Sequence, residues 1–180
     1  MPQRYTLTAM ALHWLMATMI LALFALGLYM SDLPLSPRKL ELFAWHKWVG
    51  MLVLALWLPR IAWRGLHRPP PSPVMPPWQE RIAVMTHWSL YGLMLLVPVS
   101  GWLMSSALGF TVVMFGKWPL PNLLATNHDL GDVLKQVHHV LNFVFMGLVG
   151  LHLLGVVQHQ FVLRDGLLRR MLPAIRSKNS

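Results

Sequence analysis

The sequence predicts an all-α fold, an integral membrane four-helix bundle with cofactors in its interior, and three observations predict it. The chain of 180 residues is 56% hydrophobic and only 12% charged, a composition of membrane proteins rather than soluble domains. Four apolar runs, roughly 7–30, 40–63, 81–106 and 137–161, approach or exceed the ~20 residues that carry a helix across a bilayer. Each run also carries histidine, where ionisable side chains are costly and usually functional.

The first run holds His13 and is too long for the core of a signal peptide, so it reads as the first span. Residues 31–39 form a short connector containing Pro34 and Pro37. The second run holds His46 near its start and Arg60 near its end. Residues 64–79 are basic and Pro-rich and read as an extended surface linker. The third run carries His87 and a Pro98…Gly101 kink site. Residues 108–132 form a long loop whose apolar piece, Phe110 to Phe115, is too short to span and is expected partly on the membrane surface. The fourth run, VHHVLNFVFMGLVGLHLLGVVQHQF, precedes a basic tail from Arg164 to Ser180.

Charge gives the orientation. Arg4, Arg60, Arg64, Arg68, Arg81, Arg164, Arg169, Arg170, Arg176 and Lys178 belong to the termini and the middle linker. Arg38, Lys39, Lys47, Lys117 and Lys135 belong to the other two connections. Ten against five places both termini in the cytoplasm by the positive-inside rule. The net charge of +9 is therefore an anchor at the membrane surface and not a nucleic-acid patch. With no cysteine, disulfides, thiolate-ligated iron–sulfur clusters and thioether-attached haem are excluded. No Gly-rich nucleotide loop or nucleophilic Ser or Cys arrangement is present.

The histidines share one interval. His13 lies 14 residues before Gly27, His46 before Arg60, His87 before Gly101 and His138 before His152. Fourteen residues leave two side chains roughly 40° apart in azimuth and about 21 Å apart along a helix. At the outer depth the interior shows His46, His138, Gly27 and Gly101; at the inner depth it shows His13, His87, His152 and Arg60. Two imidazoles per site suit a six-coordinate b-type haem, and glycine lets a flat ring approach a helix backbone. Zinc would want more ligands than this interior supplies. Arg60 is expected to pair with a propionate at the inner depth, and Lys47 or Lys135 with one at the outer depth. His139 falls about 140° from His152 and off that face, His67 and His128 read as loop residues, and His159 returns to the face one heptad beyond His152. The spacing leaves open whether His13 or His87 partners His152.

The residues Ala11-Leu12-His13-Trp14-Leu15, His46-Lys47-Trp48-Val49-Gly50, Pro98-Val99-Ser100-Gly101-Trp102 and Gly150-Leu151-His152 occur in the order and spacing of the bacterial cytochrome b561 family. So does the ending, His159 followed by Arg164-Asp165-Gly166-Leu167-Leu168-Arg169-Arg170-Met171-Leu172-Pro173. The chain resembles these four-helix di-haem membrane proteins over nearly its whole length, so residues 1–180 read as one such transmembrane domain. The resemblance implies two non-covalent b haems, with His13 and His152 ligating the inner one and His46 and His138 the outer. It also leaves His87 beside the inner haem without ligation. One departure is the pair His138-His139, where the family shows a single His followed by an acidic residue; the interval to His152 selects His138.

By resemblance the chain is an oxidoreductase of the bacterial inner membrane that passes electrons through stacked haems to ubiquinone. The nearest likeness is to members that oxidise superoxide at the periplasmic face. The alternative is a cytochrome b relay or anchor subunit taking electrons from a soluble dehydrogenase or hydrogenase partner. In the first reading Lys47 and Lys135 steer an anion to the outer haem. His159, an imidazole able to give and take a proton, protonates a quinone oxygen, and Arg81 holds the other.

Overall fold

The computed structural model describes residues 4–71, 73 and 75–173, so Arg176 and Lys178 of the basic tail lie outside the described residues. Four long helices make up the bundle: α1 (Leu7–Ser31), α2 (Pro37–Leu66), α3 (Pro77–Ala107) and α4 (His128–Val157). All four are long and apolar enough to cross a membrane. Side-chain caps open three of them. Thr6 Oγ1 accepts from the Ala9 amide, Ser36 Oγ from Lys39, and Asn127 Oδ1 from Leu130. Proline is the first residue of both α2 and α3, where its missing N–H costs nothing.

The helices outrun the apolar segments. Asn127 and Asp129 start α4 nine residues before the hydrophobic run, and Pro77 starts α3 within the segment read as linker. The extended stretch is correspondingly shorter than 64–79, because α2 continues to Leu66. Caps and first turns are polar, so the hydrophobic boundary falls inside the helix ends. Pro59 and Pro98 sit within α2 and α3 without ending either helix.

The loop after α3 has regular structure of its own. It contains a small antiparallel hairpin, β1 (Val113–Met114) with β2 (Trp118–Pro119), in register Val113↔Pro119 and Met114↔Trp118. Leu123 N–H to Ser106 Oγ and Asn127 N–H to the Ala107 carbonyl stitch the rest of the loop to the end of α3. This end is called the hairpin end and the opposite one the linker end.

Beyond α4 the chain makes a π-helical turn, Gln158–Leu163, reverses through Arg164 and Gly166 in left-handed conformations, and closes with a 3₁₀ turn, Leu167–Met171. That closing turn clasps the linker end. Trp14 Nε1 donates to the Met171 carbonyl, the Tyr5 amide to the Arg170 carbonyl, and Arg170 Nη1 to the Pro71 carbonyl.

The core is one layer at mid-height. Met16, Ile20, Val53, Leu93, Met94, Val97 and Phe145 are buried together, with Phe24 packed edge-on to Phe145 at 5.4 Å. Ile20, Val53, Met94 and Phe145 are the midpoints of the four 14-residue intervals, seven residues from each end. Every helix thus presents a polar or glycine position, an apolar one, and again a polar or glycine position at heptad spacing, so all three return to one face. The result is three stacked layers, with the apolar one in the middle.

Candidate functional site

At the hairpin end α2 and α4 bring His46 and His138 opposite each other, ring centroids 6.5 Å apart and planes 82° apart. At the linker end α1 and α4 bring His13 and His152 together at 6.3 Å and 76°. An imidazole nitrogen ligates a metal at about 2 Å with its ring centroid about 1 Å behind, so two histidines holding one metal from opposite sides would have centroids roughly 6 Å apart. Both pairs match that separation. His87 lies nearer to His152, at 5.3 Å, closer than opposed ligands stand. The geometry left open by spacing thus favours His13 over His87.

In the structure the two glycines face imidazoles. A Cβ on Gly101 would lie 3.0 Å from His138 Cε1, and one on Gly27 would lie 3.4 Å from His46 Cε1. Each glycine makes room for an imidazole, and this seats the ring against the neighbouring helix. His138 is held further by its other nitrogen: Nδ1 lies 3.1 Å from the Val97 carbonyl and 3.0 Å from Ser100 Oγ. Ser100 itself donates to Val97 O at 2.7 Å. With a carbonyl beside it, Nδ1 carries the proton and Nε2 keeps a free lone pair, the form a metal ligand needs. His46 Nδ1 is buried with no partner.

The linker-end pair opens into a cavity of about 1120 Å³, lined by His13, His87, His152, Arg60, Tyr91 and His159 among others. Arg60 Nη2 donates to His13 Nδ1 at 2.9 Å, while its Nε is buried and unpaired. Guanidinium only donates, so Nδ1 accepts and the ring proton sits on Nε2. Ligation through Nε2 requires that proton to move to Nδ1 and Arg60 to leave. An anionic propionate, able to satisfy the whole guanidinium fork, is a fitting acceptor. Arg60 and Arg64 both stack over Tyr91, each 5.6 Å from the ring, and neither has a carboxylate partner among the described residues. The donor set, the cavity and the unpaired arginine nitrogen fit haem.

The other expected residues divide. Lys47 is half-buried beside His46, donating to Ser105 Oγ at 2.8 Å with its ammonium 5.6 Å from the Phe110 ring. Lys135 is exposed on α4. His159 is buried, lines the cavity, and pairs through Nδ1 with Asp165 Oδ2 at 2.5 Å. Arg81 is exposed and does not line the cavity, because it falls on the outer side of α3. His139 is exposed against Phe143, away from the pairs.

Three polar residues of these sites were not singled out from the sequence: Ser100, Ser105 and Asp165. Ser100 and Asp165 stood inside the motifs quoted above, which was the available signal. Burial raises the Asp165 carboxyl, but the hydrogen bonds from His159 and the Leu167 amide outweigh it and hold the group below the usual carboxylate range.

Opposed imidazole pairs at two depths of an apolar four-helix bundle define a membrane cytochrome of the b type. The chain belongs to the prokaryotic cytochrome b561 family, whose model matches residues 4–174. It is 32% identical over 176 residues to "Cytochrome b561 homolog 2" of Escherichia coli strain K12, covering 95% of this chain and 92% of that protein. It is 28% identical over 184 residues to "Probable superoxide oxidase CybB" of Yersinia pestis, covering 98% and 99%. With "Cytochrome b561 homolog 1" of Escherichia coli strain K12 it shares 26% over 179 residues, covering 94% and 97%. It is a bacterial membrane protein of a family that binds haem b and carries electrons across the membrane.

Proposed function

We propose that the chain oxidises superoxide at the hairpin end and reduces ubiquinone at the linker end, with two b haems held by His46–His138 and His13–His152. The observation that carries the reading is the pair of imidazole separations, 6.5 and 6.3 Å, at opposite ends of one bundle. A b haem between two imidazoles supplies reversible one-electron chemistry. The relative named a probable superoxide oxidase supports the choice of donor. The distribution of Lys and Arg supports an inner-membrane orientation with the linker end in the cytoplasm.

The chain's own residues then take these parts. Lys47, fixed by Ser105 next to His46, draws the superoxide anion to the hairpin-end site, and Lys135 adds to the local field. Arg60 would donate to a haem propionate and so release His13 Nδ1. Two superoxide anions each lose one electron and leave as dioxygen; ubiquinone gains the two electrons and two protons to become ubiquinol. His159 lines the cavity and passes a proton from Nε2 while Asp165, bonded to Nδ1, steadies the imidazolium. Asp165 is exposed and offers the path for reprotonation from the linker-end solvent.

The test feeds superoxide to detergent-purified holoprotein and follows haem reduction, then ubiquinol, at two salt concentrations. Reduction is expected to be rapid and to slow with salt, and Lys47→Gln is expected to lower its second-order rate about tenfold at low salt. Failure of superoxide to reduce the haems, with reduction by a soluble dehydrogenase instead, would put the relay-subunit reading in its place.

A further inference from the structure

We propose that the hairpin between α3 and α4 is a membrane-interface anchor, folded back so that its aromatic tip lies in the headgroup–acyl boundary with phospholipid as its partner. The depth argument comes first. Trp48 Nε1 donates to the Val113 carbonyl at 2.7 Å, which ties β1 to α2. Trp48 lies about 16 Å along the axis from the first residue of α2. Lys47 beside it and Arg64 stand 17 residues, about 26 Å, apart on α2, with Arg60 the one charged side chain between them. The whole 30-residue helix is roughly 45 Å long against an apolar bilayer thickness of about 30 Å. With the charged Lys47 and Arg64 at the two edges of the apolar layer, the level of Trp48 falls near the boundary of the hydrocarbon. The contact from Lys47 to Ser105 puts α3 at the same level three residues before Leu108, so the loop leaves α3 and then descends again to Trp48.

The tip is built for that depth. Phe110 is 63% exposed, Trp118 62% and Phe115 48%. Phe115 stands between Trp48 and Trp118, at 5.4 and 6.2 Å. Lys117 beside them has the long apolar stem and charged head of an interfacial anchor. Phe115 holds φ 51° ahead of Gly116 at 69°, the two left-handed positions of a type I′ turn. Asn or Asp is favoured at the first of these, and a bulky aromatic there is strained, so the ring is displayed at a cost in backbone conformation. The backbone suits a place with little water. Val113 O is covered by the Trp48 indole and the Gly116 amide, Met114 O by the Lys117 amide, and Val112 O by the Leu120 amide. Exposed Trp45 and Leu52 lie three residues before and four after Trp48 on α2, on its side of the helix.

The chain has no cysteine, so a single engineered thiol reports one position. Phe115→Cys and Trp118→Cys, each keeping the other aromatic, are placed as holoprotein in phosphatidylcholine nanodiscs and reacted with a charged, water-soluble maleimide. Exposed Asp32→Cys on the α1–α2 connector serves as the aqueous reference. Both tip thiols are expected to react at least tenfold more slowly than Asp32→Cys, and more slowly still in lipids of longer acyl chain. Lys117→Cys, which removes no aromatic, repeats the measurement if either variant loses its haem spectrum. Rates equal to Asp32→Cys, or protection indifferent to acyl-chain length, would overturn the proposal. The first of these would leave the aromatic tip to a soluble protein on that side.

Discussion

His138 on α4 points its Nδ1 at the carbonyl oxygen of Val97 on α3, 3.1 Å away, while its neighbour His139 faces outward against Phe143. The two adjacent histidines thus have opposite surroundings: one is tautomer-fixed and opposed to His46, the other is not. His138→Ala is expected to remove the hairpin-end haem and about half the pigment, and His139→Ala to keep both haems. Redox-difference spectra with pyridine haemochrome quantification decide it, and equal pigment in the two variants would refute the assignment.

At the linker end the separations of 6.3 and 5.3 Å make His13 and His87 distinguishable. Loss of the linker-end haem is expected in His13→Ala and His152→Ala. His87→Ala should retain both haems with at most a shifted midpoint potential. A His87→Ala protein that lost a haem while His13→Ala kept it would reverse the ligand set.

Gly101 tests the seating of the ring. Alanine there places its Cβ 3.0 Å from His138 Cε1, tighter than the 3.4 Å that Gly27→Ala would impose on His46. Overpacking of this kind costs about 1–3 kcal/mol. Gly101→Ala should therefore lose hairpin-end haem more readily than Gly27→Ala, measured as haem retention during thermal ramps.

Asp165 gives a pH dependence with a definite sign. Its carboxyl is held below the ordinary range in the folded chain, so its contribution is complete above the ordinary carboxylate pKa and is lost as pH falls through the folded value. The group accepts from His159 and from the Leu167 amide, so the closing turn should loosen in that acid window. Hydrogen exchange at the Leu167 amide is expected to accelerate there in the native chain. Asp165→Asn, which has no charge to lose, should show no such transition.

The spans and the histidine layers were legible because both are written in helical periodicity, which survives without knowledge of neighbours. His46 opposite His138 follows from depth alone. The choice of His13 over His87 does not, because both occupy the same depth and only the crossing of α1 and α3 against α4 separates them. The hairpin was hidden for another reason: its strands are two residues each and are held to α2 by a single indole at Trp48. Asp165 reaches His159 only because the chain reverses at Arg164 and Gly166, a turn that periodicity does not describe. Arg81 opens the third apolar run, but the side of α3 it occupies faces away from the cavity, which periodicity alone does not reveal.

The layer of Ile20, Val53, Met94 and Phe145 makes the protein an electrical element as well as a chemical one. None of these four side chains carries a titratable group, so on the proposed reading charge would cross the layer as electrons alone. Each such electron moves through part of the membrane voltage, and a full crossing corresponds to about 2.3 kcal/mol per 100 mV. On the proposed reading, with the hairpin end outside, turnover would drive negative charge inward and would draw the protons for ubiquinol from the same inner side. Both movements charge the membrane in the same direction, so detoxification by this chain would add to the energy store of the cell. Reconstituted vesicles reporting voltage with a fluorescent dye should register it as an interior-negative potential during turnover in outward-facing protein.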